Sequence, residues 1–143
     1  MAWRSTCDAT GTSRVSAIIA DSVGPSATER SSGASHVLRH AIDLVVATHA
    51  SGETAPEAVR RYVRFGSSPR GAQSIVLAAK ATALLDGRPN VSVQDVRAVA
   101  PAALRHRLVV GYEATADGVA ADDLVAAVLD AVPAPTAGVR GAP

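Results

Sequence analysis

The residues with the clearest potential for chemistry are a short run before a helical pattern, Gly66-Ser67-Ser68-Pro69-Arg70-Gly71. Ser68 is a favourable N-cap residue, because its hydroxyl can accept a hydrogen bond from a first-turn amide. Pro69 suits the first helical position, where the N–H that it lacks would have had no partner. Arg70 then lies beside the positive end of the helix dipole, where a cation is unfavourable unless an anion lies between them. The segment therefore predicts a helix start that contacts a phosphate through Arg70, Ser68 and Ser67.

A simpler interpretation of the same segment stays open at this point. Arg70 could be a surface arginine that tolerates a repulsion of roughly 0.3 kcal/mol from the helix dipole.

The sequence excludes one common way of hydrolysing ATP. A P-loop ends in Gly-Lys followed by Ser or Thr, and its lysine reaches the terminal phosphates. Lys80 is the only lysine in the chain, and it lies inside a helical pattern between Ala79 and Ala81. The only adjacent carboxylates, Asp122 and Asp123, open an amphipathic helix and do not end an apolar strand. We therefore expect no ATPase activity from this chain alone and predict no catalytic residue.

Other candidate sites are weaker. His36 and His40 are one helical turn apart, as in zinc-binding helices, but Val37 stands where such helices place a catalytic Glu and no third ligand is evident. We predict no metal site. His106 lies between two arginines, which is more typical of a helix end or a subunit contact than of a catalytic base.

The elements that would position these residues are helical. Apolar residues at helical spacing predict one helix that Ser35 caps and Gly52 follows, a short turn over 56–61, and a helix over 69–86 that Gly87 ends. Ser92 and Asp95 have capping-box spacing before a third helix, which Pro101 kinks or ends, and a last helix spans 121–132. An extended stretch over 108–110 is the only strand-like segment.

The fold class is therefore all-α, a small bundle of about four helices over residues 36–133. Residues 1–35 read as an unstructured leader, and 134–143 as a flexible tail.

Composition limits the possible partners and compartments. The formal net charge is +1, which gives no electrostatic footprint for nucleic acid or anionic membranes. Cys7 is the only cysteine, so no intrachain disulfide can form, and we expect a cytoplasmic protein. The apolar stretch over 15–20 is too short to cross a bilayer.

Three segments that follow one another along the chain resemble one known family. Residues 62–73, YVRFGSSPRGAQ, resemble the Y-[VI]-x-x-G-x-S-P-R-[AG] segment of MoxR-type AAA+ ATPases. Residues 91–96, VSVQDV, are similar to the next helix start in that family, and 101–108, PAALRHRL, to its P-x-[VA]-L-x-H-R signature. The resemblance covers about residues 36–133, in order and at the right spacing.

The resemblance implies a fold and a role. In that family this region is the C-terminal helical lid, which packs over nucleotide bound to a larger α/β subdomain. The arginine at the position of Arg70 is the family's sensor-2 arginine, expected to approach the γ-phosphate of ATP in its own or a neighbouring subunit. ATP would be bound only together with the nucleotide-binding subdomain, within a hexamer. Such ATPases act as chaperone-like maturation factors, often beside a von Willebrand A-type protein.

The sequence also departs from the family. Residues 1–35 resemble none of the α/β subdomain that would precede the lid, so we expect a truncated or frame-disrupted member or, less simply, a separate lid protein. A small helical DNA-binding or antitoxin-like protein, using arginine-bearing helices such as 91–107, is the alternative function. The near-zero net charge is evidence against it.

Overall fold

A computed structural model describes residues 32–135 of the chain, which form six helices and one two-stranded sheet. In chain order the elements are α1 (Ser32–Ala47), α2 (Glu57–Tyr62), β1 (Val63–Phe65), α3 (Pro69–Leu85), α4 (Val93–Leu104), β2 (Val109–Val110), α5 (Tyr112–Ala116) and α6 (Ala121–Ala131). The expected leader and tail lie almost entirely outside the described residues. None of the helices described is both long enough and apolar enough to cross a membrane.

The bundle is organised around α3. This helix packs most extensively against α4 and next against α1, while α6 closes the core against α4, α2 and α1. The largest buried aliphatic side chains of the bundle are those of Leu44, Ile75, Leu104 and Leu124. The inner face of α3 consists largely of alanine, which lets the neighbouring helices approach closely. The prediction of an all-α bundle is confirmed.

The four main helices agree with the hydrophobic pattern, with differences at their ends. Helix α1 begins at Ser32, so Ser35 lies within the helix and not at the predicted cap. Pro101 lies inside α4, which continues to Leu104 before the turn that holds Arg105. A proline here removes one hydrogen bond of the helix interior without ending the helix. The predicted short helix after Pro56 is present as α2.

A small sheet joins the segment that follows α2 to the segment that precedes α5. Strand β1 pairs with β2 in antiparallel register, Val63 opposite Val110 and Phe65 opposite Val109, with an irregularity between the two pairs. The extended stretch over 108–110 is therefore confirmed, whereas β1 was not predicted. Three residues are too short for an alternation to be recognised in the sequence. Phe65, at the end of β1, is 62% exposed.

The turn between α3 and α4 is held by a polar cluster around Asp95. Gly87 ends α3 at a φ of 70°, and Ser92 and Asp95 form the predicted capping box. Arg88 donates two hydrogen bonds to the Asp95 carboxylate, at 2.8 and 2.7 Å, and a third to Asp86 at 2.8 Å. The hydrogen bonds that Asp95 accepts from Arg88 and from Ser92 hold the pKa of its carboxyl well below its usual range. The turn thus joins two helices through a carboxylate that stays ionised.

Candidate functional site

The segment that leads into α3 is fixed to the end of α1 by Thr48. The buried Thr48 hydroxyl donates to Val45 O at 2.6 Å and accepts from the Ser67 backbone N–H at 2.9 Å. Gly66 makes this approach possible, because a Cβ atom there would lie 2.6 Å from Thr48 O. Real Cβ atoms do not approach a carbonyl oxygen so closely. The glycine is therefore required by packing and not by an unusual backbone angle.

Ser67 lies beneath the start of α3. It is fully buried, and its hydroxyl donates to the Ser68 carbonyl at 3.4 Å. A Cβ atom at Gly71 would collide with Ser67 Oγ and would lie 3.5 Å from a methyl carbon of Leu104. A small residue at position 71 thus leaves room for Ser67 between the helix start and the core.

Ser68 occupies the N-cap position of α3, but its side chain does not cap the helix. Its backbone is extended, with φ −68° and ψ 168°, and Pro69 follows at the first helical position, as predicted. The expected hydrogen bond from a first-turn amide to the Ser68 hydroxyl is absent. The Gly71 N–H instead donates to the Ser68 carbonyl at 2.8 Å. Because a main-chain acceptor takes that amide, the exposed Ser68 hydroxyl remains available to another group.

Arg70 is exposed at this helix start. Its guanidinium forms no ion pair or hydrogen bond with any residue in the described part of the chain. An open hollow of about 440 Å³ lies beside it, lined by Ser68, Pro69, Arg70 and Gln73. An arginine with five N–H donors and no acceptor among residues 32–135, at a helix start without a side-chain cap, can bind an anion such as a phosphate.

A second arginine, which the sequence did not single out as a site residue, reaches the same end of α3. Arg107 Nη2 donates to Ser74 Oγ at 3.0 Å, and that hydroxyl donates to the Arg70 carbonyl at 2.9 Å. Arg107 Nε is buried without a hydrogen-bond partner in the described structure. The sequence placed Arg107 near a helix end but contained no signal for its contact with Ser74, 33 residues away.

The two histidines of α1 have different environments. His36 is exposed, whereas His40 is buried, and its Nε2 has no hydrogen-bond partner among the described residues. In the part of the chain that the structure describes, no group of three or more His, Cys, Asp or Glu side chains could hold a metal ion. Burial lowers the pKa of His40, the positive charge of Arg97 lowers it further, and Asp43 acts in the opposite direction. His40 is therefore a neutral core residue.

This environment predicts a loss of stability in acid. The unfolded chain binds a proton at His40 near pH 6.5, but the folded chain does so only at lower pH. The free energy of unfolding should thus fall as the pH drops below about 6.5. We expect His40→Leu to lose less stability than the wild type between about pH 7.5 and about pH 5.5, measured by urea unfolding. His36→Leu is the matched control and should keep the wild-type slope; equal slopes for all three proteins would contradict this account.

Comparison with known proteins gives one consistent set of relatives. The sequence profile of the AAA lid domain family matches residues 55–128. The chain is 38% identical over 96 residues to Chaperone MoxR1 of Mycobacterium tuberculosis and 42% identical over 83 residues to Protein MoxR of Paracoccus denitrificans. These matches cover 67% and 54% of this chain but only 26% and 23% of the relatives. The chain thus spans about a quarter of the length of the curated relatives that it matches.

A solved structure agrees with the sequence relatives. The crystal structure of a protein from Cytophaga hutchinsonii, provisionally assigned as an ATPase, superimposes with a TM-score of 0.65 at 33% sequence identity. The superposition covers 68% of this chain and 30% of that protein. The similarity therefore extends from the sequence motifs to the arrangement of the helices.

Proposed function

This chain belongs to the AAA lid domain family, and on that premise we propose that it contributes Arg70 to nucleotide binding and hydrolysis in a MoxR-type AAA+ ATPase. Arg70 is the sensor-2 arginine of this proposal and approaches the γ-phosphate of ATP. The ATP is held by a nucleotide-binding subdomain, of the same or a neighbouring subunit. The assembly is a chaperone-like hexamer in the cytoplasm, with a von Willebrand A-type protein as a further partner.

One observation carries the proposal: Arg70 is exposed at a helix start whose cap residue does not cap it, and no described acid neutralises it. An arginine kept only for stability would be expected to hold an acceptor, as Arg88 holds the Asp95 carboxylate and Arg97 holds the Leu129 and Val132 carbonyls. The exposed Ser68 hydroxyl adds a second phosphate ligand at the same edge of the hollow. Ser67 is buried, so its side chain could contact a phosphate only if the segment before α3 opened. The contact between Ser67 and phosphate stays a prediction.

The test needs a complete ATPase. We suggest a chimera in which residues 32–135 of this chain replace the matching segment of M. tuberculosis MoxR1. Arg70→Ala in this chimera should lower ATP turnover by about 100-fold, because a preorganised cation is lost from the developing charge on the phosphate. The free energy of unfolding should change by less than about 0.5 kcal/mol, since the side chain is exposed and has no partner in the described part of the chain.

Arg39→Ala is the matched control, because Arg39 is also an exposed arginine on a main helix. It should leave both turnover and stability unchanged. If Arg70→Ala preserved turnover, or lowered it only together with a large loss of stability, Arg70 would be a structural residue and the proposal would be wrong.

We also expect the isolated chain to show no ATP turnover. The lysine that holds the β- and γ-phosphates and the acid that holds Mg²⁺ are both missing from the sequence. Phosphate release from the purified chain should match that of a buffer blank over a range of ATP concentrations. Turnover that follows the chain through successive purification steps would overturn this expectation.

A further inference from the structure

The half-buried Arg107 side chain is poorly satisfied by its contacts. Within residues 32–135 its guanidinium makes one hydrogen bond, from Nη2 to the neutral Ser74 hydroxyl at 3.0 Å, and no ion pair. Its Nε is buried without an acceptor among the same residues. Arg88, by contrast, donates twice to the Asp95 carboxylate. Because a buried donor without a partner costs stability, the stability of the fold does not account for Arg107.

The single hydrogen bond of Arg107 leads to the backbone that carries Arg70. Ser74 lies one helical turn after Arg70, and its hydroxyl, which accepts from Arg107, donates to the Arg70 carbonyl at 2.9 Å. A charged donor polarises the hydroxyl and so strengthens the bond that the hydroxyl donates. No side chain caps this helix start. The two consecutive bonds therefore fix a turn that has no side-chain cap to hold it.

Arg107 can fix that turn because its own backbone is held by the core. Its N–H donates to Leu104 O at 2.8 Å, just after the end of α4. Leu104 and Leu108, which lie on either side of it in the chain, are both buried. The bond to Ser74 therefore ties the start of α3 to a well-packed part of the bundle.

We propose that Arg107 is a positioning residue for Arg70 and acts through the Ser74 hydroxyl. The inference rests on the proposed function, in which the Arg70 guanidinium approaches the γ-phosphate. Arg107 does not contact the phosphate; it holds the backbone from which the Arg70 side chain extends. Such a residue affects the rate strongly, since a displacement of about 1 Å in a catalytic group can cost about 100-fold.

Two substitutions interrupt the contact at different points. In the MoxR1 chimera, Ser74→Ala removes the hydroxyl and Arg107→Ala removes its charged donor. Each should lower kcat by about tenfold and change the KM for ATP by less than about twofold, because Arg70 acts on charge that develops in the transition state. Ser74→Thr keeps the hydroxyl and should keep the wild-type kcat.

Thr82→Ala is the matched control. It removes a hydroxyl from the same helix, about two turns further along, that also donates to a backbone carbonyl, Ala78 O at 3.1 Å. It should leave kcat unchanged. Urea unfolding of every variant measures stability. If kcat fell only in proportion to the fraction of unfolded chimera, Arg107 would serve stability alone and the inference would be overturned.

A double-mutant cycle separates positioning from a general effect on the lid. If Arg107 acts through Arg70, Arg107→Ala should lower turnover by less than about twofold once Arg70 is alanine. A tenfold loss with and without Arg70, on the order expected for the single variant, would show that Arg107 acts independently and would overturn the inference. Wild-type turnover in Ser74→Ala would also overturn it, because the hydroxyl would then not transmit the contact.

The same variants separate this inference from the proposed function. Lost turnover in Arg70→Ala, with Ser74→Ala and Arg107→Ala both at the wild-type rate, supports the sensor role and overturns the positioning role. Turnover that survives Arg70→Ala overturns the sensor role and the inference with it. Lost turnover in all three single variants, with no further loss when Arg107→Ala is added to Arg70→Ala, supports both.

Discussion

Gly66→Ala should destabilise the chain by about 3 kcal/mol or more, because the added methyl group has no room to be accommodated. It would lie 2.6 Å from the Thr48 carbonyl oxygen and 2.8 Å from both its carbonyl carbon and its hydroxyl oxygen. Thr48 cannot withdraw easily, since its N–H and its hydroxyl both donate to Val45 O. The segment must therefore move away and break the buried bond from the Ser67 N–H to the Thr48 hydroxyl. Urea unfolding of the full-length chain would measure the loss.

Gly111→Ala is the control for a generic cost of replacing glycine. A Cβ atom at Gly111 would meet only Tyr62 O, at an ordinary 3.5 Å. We expect a loss of less than about 1 kcal/mol, mainly from a poorer residue at the N-cap of α5. Equal losses for the two variants would show that the close approach to Thr48 does not matter. In the ATPase chimera, Gly66→Ala should also reduce turnover, because the same displacement moves the start of α3 and Arg70 with it.

Asp95→Ala is expected to cost about 2–3 kcal/mol, the second large effect. The Asp95 side chain, 8% exposed, accepts from the Ser92 N–H, the Ser92 hydroxyl and the Arg88 guanidinium. Removing it eliminates half of the capping box and the ionic contact between the two sides of the α3–α4 turn. Arg88 is 40% exposed. After Asp95 is removed, solvent and Asp86 still contact the Arg88 guanidinium, so the expected loss of stability is moderate. Chemical denaturation near neutral pH would measure the effect.

The pH dependence gives an independent check on Asp95. Its pKa is lowered in the folded chain, so its contribution is fully present above the unfolded value of 3.8 and is lost as the pH falls below it. The difference in stability between wild type and Asp95→Ala should therefore shrink in acid. Asp86→Ala, which removes only the exposed partner of Arg88, should cost less than about 0.5 kcal/mol. An Asp86→Ala loss as large as that of Asp95→Ala would contradict the importance of the cap.

The sequence was sufficient for features that depend on neighbouring residues. The apolar stripes of α3 and α6, the capping box of Ser92 and Asp95, and the left-handed stop at Gly87 are all local, and the structure confirms them. The all-α class followed from these stripes. The predicted hydroxyl cap at Ser68 was wrong even though the cap position was right, because residue preference does not decide which acceptor an amide uses.

Features that depend on distant residues could not be predicted from one sequence. The bond between the Ser67 N–H and Thr48 joins residues 19 apart, and that between Arg107 and Ser74 residues 33 apart. Nothing in the spacing of either pair indicates a contact until the helices are packed. The exposure of Leu77, Leu84 and Leu85 also depends on how the helices pack, and it became visible only in the folded chain.

The short sheet has a consequence for how this lid can vary in length. Strands β1 and β2 bring residues 63–65 and 109–110 side by side, so the chain between them leaves and returns at neighbouring points. The chain between the two strands forms helices α3 and α4, and the exposed turn that joins these helices contains Pro89 and Asn90. Residues inserted between Pro89 and Asn90 would lengthen this turn and leave the paired strands in place. Evolution or engineering could therefore add a new binding element at the α3–α4 turn without shifting Arg70.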